Sequence, residues 1–170
     1  DKLSAGIYSF LPLGFRVHQK IEGIIRQEMN AIGGQEVFLP ALQPKDIWEK
    51  TDRWDHMDPP LFKFLDRHDS FLTIGPTHEE VITKLAAERV QSYRDVPRYL
   101  YQIQNKFRNE MRSTGGLLRV REFVMKDLYS FHTSEKDLAD YYEKVRGAYH
   151  EIFRRCGFET KVVEASSGSI

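Results

Sequence analysis

Residues 107–123 of the chain, FRNEMRSTGGLLRVREF, combine the side-chain types that a nucleoside triphosphate requires. Arg108 and Glu110 lie two positions apart, and Arg119 and Phe123 lie four positions apart beyond a Gly-Gly pair. Guanidinium groups bind phosphates, a carboxylate accepts a hydrogen bond from an adenine amine, and an aromatic ring stacks on a base. If the segment folds as a hairpin, one surface carries all of these groups.

The residues before this segment alternate as those of a two-faced β-strand do. Between residues 98 and 107 one face carries Tyr99, Tyr101, Ile103 and Phe107. The other face carries Gln102, Gln104 and Lys106. Arg108 and Glu110 continue the polar parity. The pattern therefore predicts a strand with one buried face and one functional face.

A second strand is predicted after the turn at Gly115 and Gly116. One of its faces carries Arg119, Arg121, Phe123, Met125, Asp127 and Tyr129. An antiparallel hairpin would place this face beside the functional face of the first strand. The ordinary alternative is a solvated hairpin with weak surface ion pairs, but such a face would seldom carry Phe123, Met125 and Tyr129 among its charges.

Three ordered segments resemble the class II aminoacyl-tRNA synthetases. The spacing in residues 107–123 resembles their motif 2, and GQEVFLPAL at 34–42 resembles their motif 1, which extends over about residues 13–42. Residues 75–80, GPTHEE, resemble the substrate loop of the prolyl enzymes of bacterial type. The opening SAGIYSFLPLG, the RWD at 53–55 and the closing VVEASSGSI resemble the same enzymes, so the resemblance spans essentially the whole chain.

The resemblance implies activation of proline by ATP to prolyl-adenylate, followed by transfer to the acceptor end of tRNA(Pro). Two anions must approach when the proline carboxylate attacks the α-phosphorus, so the site must neutralise charge and align the attack. Arg108 is the expected catalytic residue, because its planar fork can contact both anions. By resemblance, Glu110 binds the adenine amine, Phe123 stacks on the base and Arg119 meets the distal phosphates.

Proline offers N–H donors and an apolar ring. The expected proline-binding residues are Thr77, Glu79, Arg108, Met125, Asp127 and Tyr129. Glu79 can accept from the ammonium, and Met125 can pack on the ring. The similar threonyl enzymes hold zinc at what resemble the positions of Glu79 and Tyr129, so no zinc or other protein-held metal is expected here.

Four nearby residues have other interpretations. Thr77 is also predicted to cap the following helix, with Glu80 completing a capping box. His78 is interpreted as structural or surface. Arg112 could contact the tRNA end or be solvated, and Arg121 could act in the site or only pair with carboxylates.

An apolar pattern from Leu13 to Ile32 predicts a long helix that begins near Pro12 and ends at Gly33-Gly34. A strand over 35–39 follows it. The resemblance implies a homodimer whose interface includes Gly34, Val37 and Pro40. The alternative is a helix that packs only on its own sheet.

The remaining pattern predicts a helix over 44–50, a hairpin with strands at 61–65 and 71–74, and a helix from just after Thr77 to Val90. A last helix begins near Thr133 and ends at Gly157, and a strand over 158–165 follows. The fold class is α+β, with a class II-like antiparallel sheet flanked by helices on one side. Residues 1–170 are expected to form a single domain, part of a catalytic core.

Composition sets limits on the function. The 170 residues carry zero net charge, which argues against binding nucleic acid through a bulk positive field, although a tRNA end could still reach the site. The single cysteine, Cys156, excludes an internal disulfide. No apolar run approaches membrane-spanning length and no signal peptide is recognisable, so a cytoplasmic location is expected.

The third class II motif, a Gly-rich segment with a phosphate-binding Arg, is not found in the chain. The 170 residues alone are therefore expected to be inactive, and the ligands of the expected Mg²⁺ to lie beyond residue 170. Residues 168–170, GSI, resemble the approach to an editing insertion. The alternatives are a threonyl or seryl enzyme, or a non-catalytic synthetase-like module; the presence of Arg108, Glu110 and Phe123 together favours an enzyme.

Overall fold

The computed structural model describes residues 1–165. In chain order its elements are β1 (Lys2–Ser4), β2 (Ile7–Tyr8), α1 (Pro12–Ala31), β3 (Gln35–Glu36), β4 (Leu42–Pro44), α2 (Lys45–Glu49), α3 (Arg53–His56), β5 (Phe62–Leu65), β6 (Phe71–Ile74), α4 (Glu79–Arg89), β7 (Arg98–Phe107), β8 (Glu122–Phe131) and α5 (Glu135–Arg155). A short 3₁₀ helix occupies Tyr93–Asp95. None of the described helices is both long and apolar enough to cross a bilayer.

The long hairpin of β7 and β8 is the element that carries the functional segment. Its strands pair antiparallel from Arg98 opposite Phe131 to Phe107 opposite Glu122. The connection turns at Gly115, whose φ of +65° lies in the left-handed region that glycine tolerates best. Strand β3 adds to this sheet parallel to β7. The predicted hairpin is therefore confirmed.

Helices α1 and α5 cover the apolar face of this sheet. The buried cluster between them consists of Met29, Tyr101, Ala148 and Ile152, with Ile24, Ile25, Ile32, Ile103 and Leu128 packed around it. Tyr101 has the parity predicted for the buried face, and its hydroxyl donates to Asn30 at 2.8 Å. The two helices therefore leave the opposite, polar face of the hairpin uncovered, and the predicted α+β fold is confirmed.

Strands β4, β6 and β5 form a second three-stranded antiparallel sheet. Its core consists of Ile47, Trp48, Trp54, Met57 and Leu61. The sheet was predicted as one, whereas the described residues form three sheets: β3–β7–β8, β4–β6–β5 and the two-stranded β1–β2. Strand β6 ends at Ile74, and the next residue, Gly75, accepts a hydrogen bond from Phe107 N at the end of β7 (3.2 Å). The loop after β6 therefore lies across the end of the functional hairpin.

The strand predicted over 35–39 is shorter in the structure, where β3 contains only Gln35–Glu36. Val37 N still donates to Tyr101 O at 2.8 Å. At Leu39 the partners become side chains: its N–H donates to Gln102 Oε1 at 3.3 Å and its carbonyl accepts from Gln104 Nε2 at 2.7 Å. The β3–β7 ladder ends here because the side chains of Gln102 and Gln104, and not the backbone of β7, bind the backbone of Leu39.

The strand predicted over 158–165 is wrong, since these residues join no sheet in the described part of the chain, and Phe158 N bonds back to Phe153 O in α5 at 2.9 Å. Helix α5 ends at Arg155, and Gly157 has a φ of +88°. An alternating sequence lacks a ladder when no neighbouring strand supplies its hydrogen bonds. Residues 166–170, which include the GSI segment, lie outside the described residues.

The other predicted elements are confirmed within a residue or two. Ser134 caps α5 by accepting from Asp137 N at 3.2 Å. The sequence interpretation did not include β1, β2, β4 or α3, which have two to four residues each and are too short for a periodic pattern.

Candidate active site

The polar faces of β7 and β8 meet side by side, as their alternation predicts. Across the strands the opposing pairs are Lys106 and Phe123, Gln104 and Met125, and Gln102 and Asp127. The loop before α4 lies against the same face, because the side chain of His78 reaches Lys106. Residues that are far apart in the sequence thus form one continuous functional surface.

The four residues predicted to bind ATP lie together at the loop end of the hairpin, where β7 connects to β8. Arg119 Nε and Nη2 donate to Glu110 Oε2 at 2.8 Å and 2.7 Å. The Arg108 guanidinium lies over the ring of Phe123, with 5.3 Å between its carbon and the ring centroid. Arg121 Nε donates to the carbonyl of Glu110 at 3.0 Å, which helps to fix the backbone there.

Arg108 is the cation with unused donor capacity in this group. Its Nε is buried and has no hydrogen-bond partner among residues 1–165. Burial lowers the pKa of Arg108, while the carboxylates of Glu110 and Glu79 raise it. An arginine stays protonated at any physiological pH, so an available guanidinium faces this surface.

Glu110 and Arg119 are paired with each other, although the resemblance assigns them to opposite ends of a nucleotide. Glu110 is buried, whereas the Arg119 side chain is 61% exposed. An exposed partner can reorient at little free-energy cost. The pair is therefore compatible with a nucleotide that replaces Arg119 on the carboxylate.

The residues predicted to bind proline form a chain of contacts further along the same face. Tyr129 Oη donates to Asp127 Oδ2 at 2.6 Å and lies 3.3 Å from Glu79 Oε1. Thr77 Oγ1 donates to the other Glu79 oxygen, Oε2. Met125 lies on the same face, opposite Gln104. These side chains are therefore neighbours in the structure, and their part in binding proline stays a prediction.

The capping role predicted for Thr77 is wrong. The N-cap of α4 is His78, and no side chain caps the helix. The Thr77 hydroxyl bonds to Glu79 instead, and Glu80 Oε1 accepts from Thr51 Oγ1 at 3.0 Å and from Arg53 Nη1 at 2.8 Å. The Glu79 and Glu80 carboxylates bind these hydroxyl and guanidinium groups, so no capping box forms at the start of α4.

A buried group that the sequence reasoning did not assign to the site lies beneath these residues. Lys106 Nζ donates to His78 Nδ1 and to Asp127 Oδ2, the latter at 3.0 Å, and lies 2.9 Å from Asp127 Oδ1. Lys106 and His78 have no exposed surface. The only sequence signal was the parity that Lys106 shares with Gln102 and Gln104.

His78 is held in one protonation state by its neighbours. Nδ1 accepts from the Lys106 ammonium, so Nε2 carries the proton and donates to Pro40 O at 3.1 Å. Burial first, and then the Lys106 charge, lower the pKa of His78 to about 4. The imidazole is therefore neutral near pH 7, which agrees with the structural role predicted for it.

Comparison with known sequences decides the family. The sequence model of the tRNA synthetase class II core domain (G, H, P, S and T) matches residues 62–170. The chain belongs to this class II synthetase family. Residues 75–80 and 107–123 both lie within the matched range.

Named relatives of this synthetase core are proline--tRNA ligases. The chain is 55% identical over 169 residues to that of Dehalococcoides mccartyi, which covers 99% of the chain and 30% of the relative. It is 52% identical over 167 residues to that of Geobacillus kaustophilus, with 98% and 30% covered. The chain thus spans about a third of the length of the curated relatives it matches.

The fold has a counterpart among solved structures. Giardia lamblia prolyl-tRNA synthetase in complex with prolyl-adenylate superposes with a TM-score of 0.83, covering 90% of this chain and 32% of that one. The two sequences are 23% identical. At this identity the match establishes the shared class II fold.

Two cavities lie near the functional surface of this synthetase core, and neither is lined by the site residues of the hairpin. One of 1040 Å³ lies between the C-terminal half of α4 and residues 130–138, and none of the predicted site residues lines it. Another of 460 Å³ is bordered by Arg53, Glu79 and Glu80. We place the site on the open hairpin face, because the unused cation and the linked carboxylates converge there.

No group of three or more His, Cys, Asp or Glu side chains in residues 1–165 could hold a metal ion. The carboxylates of the functional face are already engaged, Glu110 by Arg119 and Asp127 by Lys106. Magnesium prefers oxygen ligands that are free to coordinate. These residues do not fit a magnesium site, and the ion's ligands stay predicted to lie beyond residue 170.

The residues predicted for a dimer interface have roles inside the chain. Gly34 is packed so closely that a Cβ atom would lie 2.8 Å from Met29 O. Val37 N bonds to β7, and Pro40 O accepts from His78. Their part in a dimer stays a prediction.

Proposed function

We propose that this chain is part of a proline–tRNA ligase, which activates proline with ATP and transfers the prolyl group to tRNA(Pro). The observation that carries the proposal is the convergence of Arg108, just beyond β7, with the Glu79 carboxylate at the start of α4, whose charge acts on Arg108 and whose Oε1 faces Tyr129 on β8. Family membership and identity of 55% to a named proline--tRNA ligase support it. We extend to this chain the prolyl-adenylate that the Giardia enzyme binds.

Arg108 would act on both reacting anions. Its donors are unused and its guanidinium lies over Phe123, so an adenine stacked on that ring would bring the α-phosphate toward the same fork. A bidentate guanidinium can hold a carboxylate and a phosphate at once and stabilise the charge that develops between them. No general base is required, because the proline carboxylate is already ionised.

Glu110 and Arg119 would exchange partners when ATP binds. Glu110 is fixed by the backbone contact from Arg121, so its carboxylate can accept from the adenine amine. Arg119, released from Glu110, would reach the distal phosphates. The acceptor end of the tRNA would then approach the exposed loop that contains Arg112.

The ammonium of proline would bind at Glu79. Thr77 holds one oxygen of that carboxylate, and the other faces Tyr129. Met125, on the same strand face, is available to contact the ring. A secondary ammonium beside a partly buried carboxylate forms a charge-assisted hydrogen bond.

We also propose that the protein forms a homodimer through α1 and works in the cytoplasm, where tRNA is charged. One apolar stripe runs along α1, and its C-terminal half packs against Tyr101. In its N-terminal half Leu13, Val17 and Ile21 are 71%, 50% and 41% exposed. A continuous stripe with an uncovered half is typical of a helix shared between two subunits.

The test is ATP–pyrophosphate exchange by the full-length protein with each amino acid in turn. We expect exchange with proline, and a loss of roughly a hundredfold or more in Arg108→Ala, which lacks the bridging fork. Arg112→Ala is the matched control, because exchange does not involve tRNA. Exchange with threonine or serine would identify a different synthetase, and no exchange with any amino acid would indicate a non-catalytic module.

A further inference from the structure

The ammonium of Lys106 is buried between two elements that both face the proposed substrate. Its partners are His78 on the loop before α4 and Asp127 on β8. It has no exposed surface and is paired with an anion, as a buried charge requires. Lys106 therefore cannot contact a substrate directly, and any effect on the reaction must pass through its partners.

Asp127 collects the hydrogen bonds of this group on one oxygen. Oδ2 accepts from Lys106 Nζ at 3.0 Å, from Gln102 Nε2 at 2.9 Å and from Tyr129 Oη at 2.6 Å. The Lys106 ammonium, 2.9 Å from Oδ1, is the counterion of this carboxylate. Hydrogen bonds from Lys106 and Gln102 thus hold the Asp127 carboxylate in place as an acceptor for Tyr129.

The hydroxyl of Tyr129 has one proton and two carboxylates within reach. Asp127 Oδ2 lies at 2.6 Å and Glu79 Oε1 at 3.3 Å, so the proton is directed to Asp127. Burial, followed by the bond to Asp127, raises the pKa of Tyr129, so the hydroxyl keeps its proton. Glu79 Oε1 consequently receives only a weak contact from the protein.

We propose that Lys106 is a positioning residue for recognition of the substrate ammonium. By holding Asp127 as the acceptor for the Tyr129 proton, it leaves Glu79 Oε1 available to the N–H groups of the bound amino acid. The inference rests on the proposed function. It adds a buried residue, Lys106, that determines which hydrogen bonds the Glu79 carboxylate accepts.

Replacing Lys106 by Met removes the counterion of Asp127. A buried carboxylate without a counterion takes up a proton or turns away. Tyr129 would then donate to Glu79, and the ammonium of proline would meet an occupied acceptor. Arg108, Glu110 and Phe123 make no hydrogen bond to Lys106, so ATP binding should be unaffected.

The experiment uses the full-length protein and the variants Lys106→Met and Lys126→Met. Lys126 is the matched control, because it lies on β8 opposite Ile103 and contacts Tyr149 on the other side of the sheet. The readouts are the KM for proline, the KM for ATP and the Ki of tetrahydrofuran-2-carboxylate, in which a ring oxygen replaces the ammonium. We expect the proline KM of Lys106→Met to rise by about tenfold to a hundredfold, with ATP KM and analogue Ki within about twofold of wild type.

If Lys106→Met does not fold, the double variant Lys106→Met/Asp127→Asn replaces it. A neutral amide is a weaker acceptor than the Glu79 carboxylate, so Tyr129 still turns to Glu79 and the same proline-specific loss is expected. A proline KM within about twofold of wild type in a folded variant, or equal changes for proline, ATP and the analogue, would overturn the role of Lys106. Wild-type protein without proline-dependent exchange would overturn the proposed function as well, so the two failures are distinguishable.

Discussion

The roles of individual side chains depend on partners that the sequence does not place. Arg108, Glu110 and Phe123 could be predicted, because their types and spacing match a nucleotide's chemistry. For Lys106 the sequence predicted the face of the strand on which it lies, but no function. Its role depends on the distances to His78 and Asp127, which are 28 and 21 residues away in the chain.

His78 provides a test at the scale of one residue. Its pKa in the folded protein is about 4, below its ordinary 6.5, because of burial and the adjacent Lys106 charge; Asp127 and Glu79 oppose the decrease. Between these values the unfolded chain binds a proton that the folded chain does not. His78 therefore contributes stability fully above pH 6.5, and up to about 3 kcal/mol of it is lost as the pH falls toward 4.

The measurement is the NMR titration of the histidine rings, with His78 assigned through His78→Gln. We expect the His78 resonance to stay constant from about pH 8 to about pH 5, since the ring remains neutral. His56 is the internal control, because its backbone bond to Asp52 raises its pKa. A His78 midpoint near or above that of His56 would contradict the buried, neutral assignment.

At the scale of elements, periodicity predicted the long ones and missed the short ones. The alternation predicted for β7 and β8 agrees with the structure along both strands. Such alternation is strongly specified, because a shift of one residue would exchange the apolar and polar faces. The end of β3 could not be predicted, because it depends on which side chains of β7 bond to Leu39. The early β1–β2 hairpin, only a few residues long, gave no periodic signal.

That short hairpin nevertheless positions the ATP-binding segment. Gly6 O accepts from Arg121 N at 2.8 Å, and a Cβ on Gly6 would lie 2.9 Å from Ser113 Cβ and 3.0 Å from Arg121 N. Its φ of +75° also favours glycine. We therefore predict that Gly6→Ala shifts the segment and raises the KM for ATP by about tenfold, equivalent to strain of about 1–2 kcal/mol, while the KM for proline changes less.

The matched control is Gly147→Ala, in the exposed part of α5, where no atom lies within 4 Å of the added Cβ. Alanine there should leave both KM values unchanged and stabilise the helix by roughly 0.5–1 kcal/mol. Equal ATP KM values in Gly6→Ala and wild type would show that the β1–β2 hairpin does not position the ATP-binding segment.

At the scale of the whole molecule, the sequence predicted the α+β class but not the division of the sheet. Alternation reports which residues share a face, whereas the neighbours of each strand depend on where the chain turns. The turn at Gly75 separates β6 from β7 while keeping the loop with Thr77 against the hairpin end. Residue types and parity predicted which side chains share a face of the hairpin, and the binding roles of these side chains stay predictions.

The exposed half of α1 supplies the last prediction. If a second copy covers Leu13 and Ile21, carboxylates at these positions would be buried without counterions in the dimer. The double variant Leu13→Asp/Ile21→Asp of the full-length protein should weaken dimerisation at least about a hundredfold, because each such burial costs several kcal/mol. Analytical ultracentrifugation over a range of concentrations measures this, with Gln19→Asp, which is exposed on another side of α1, as the control. Because Leu13 and Ile21 are exposed in the single chain, the variant should retain its folded structure by circular dichroism. A dimer as tight as wild type would place the interface on another surface.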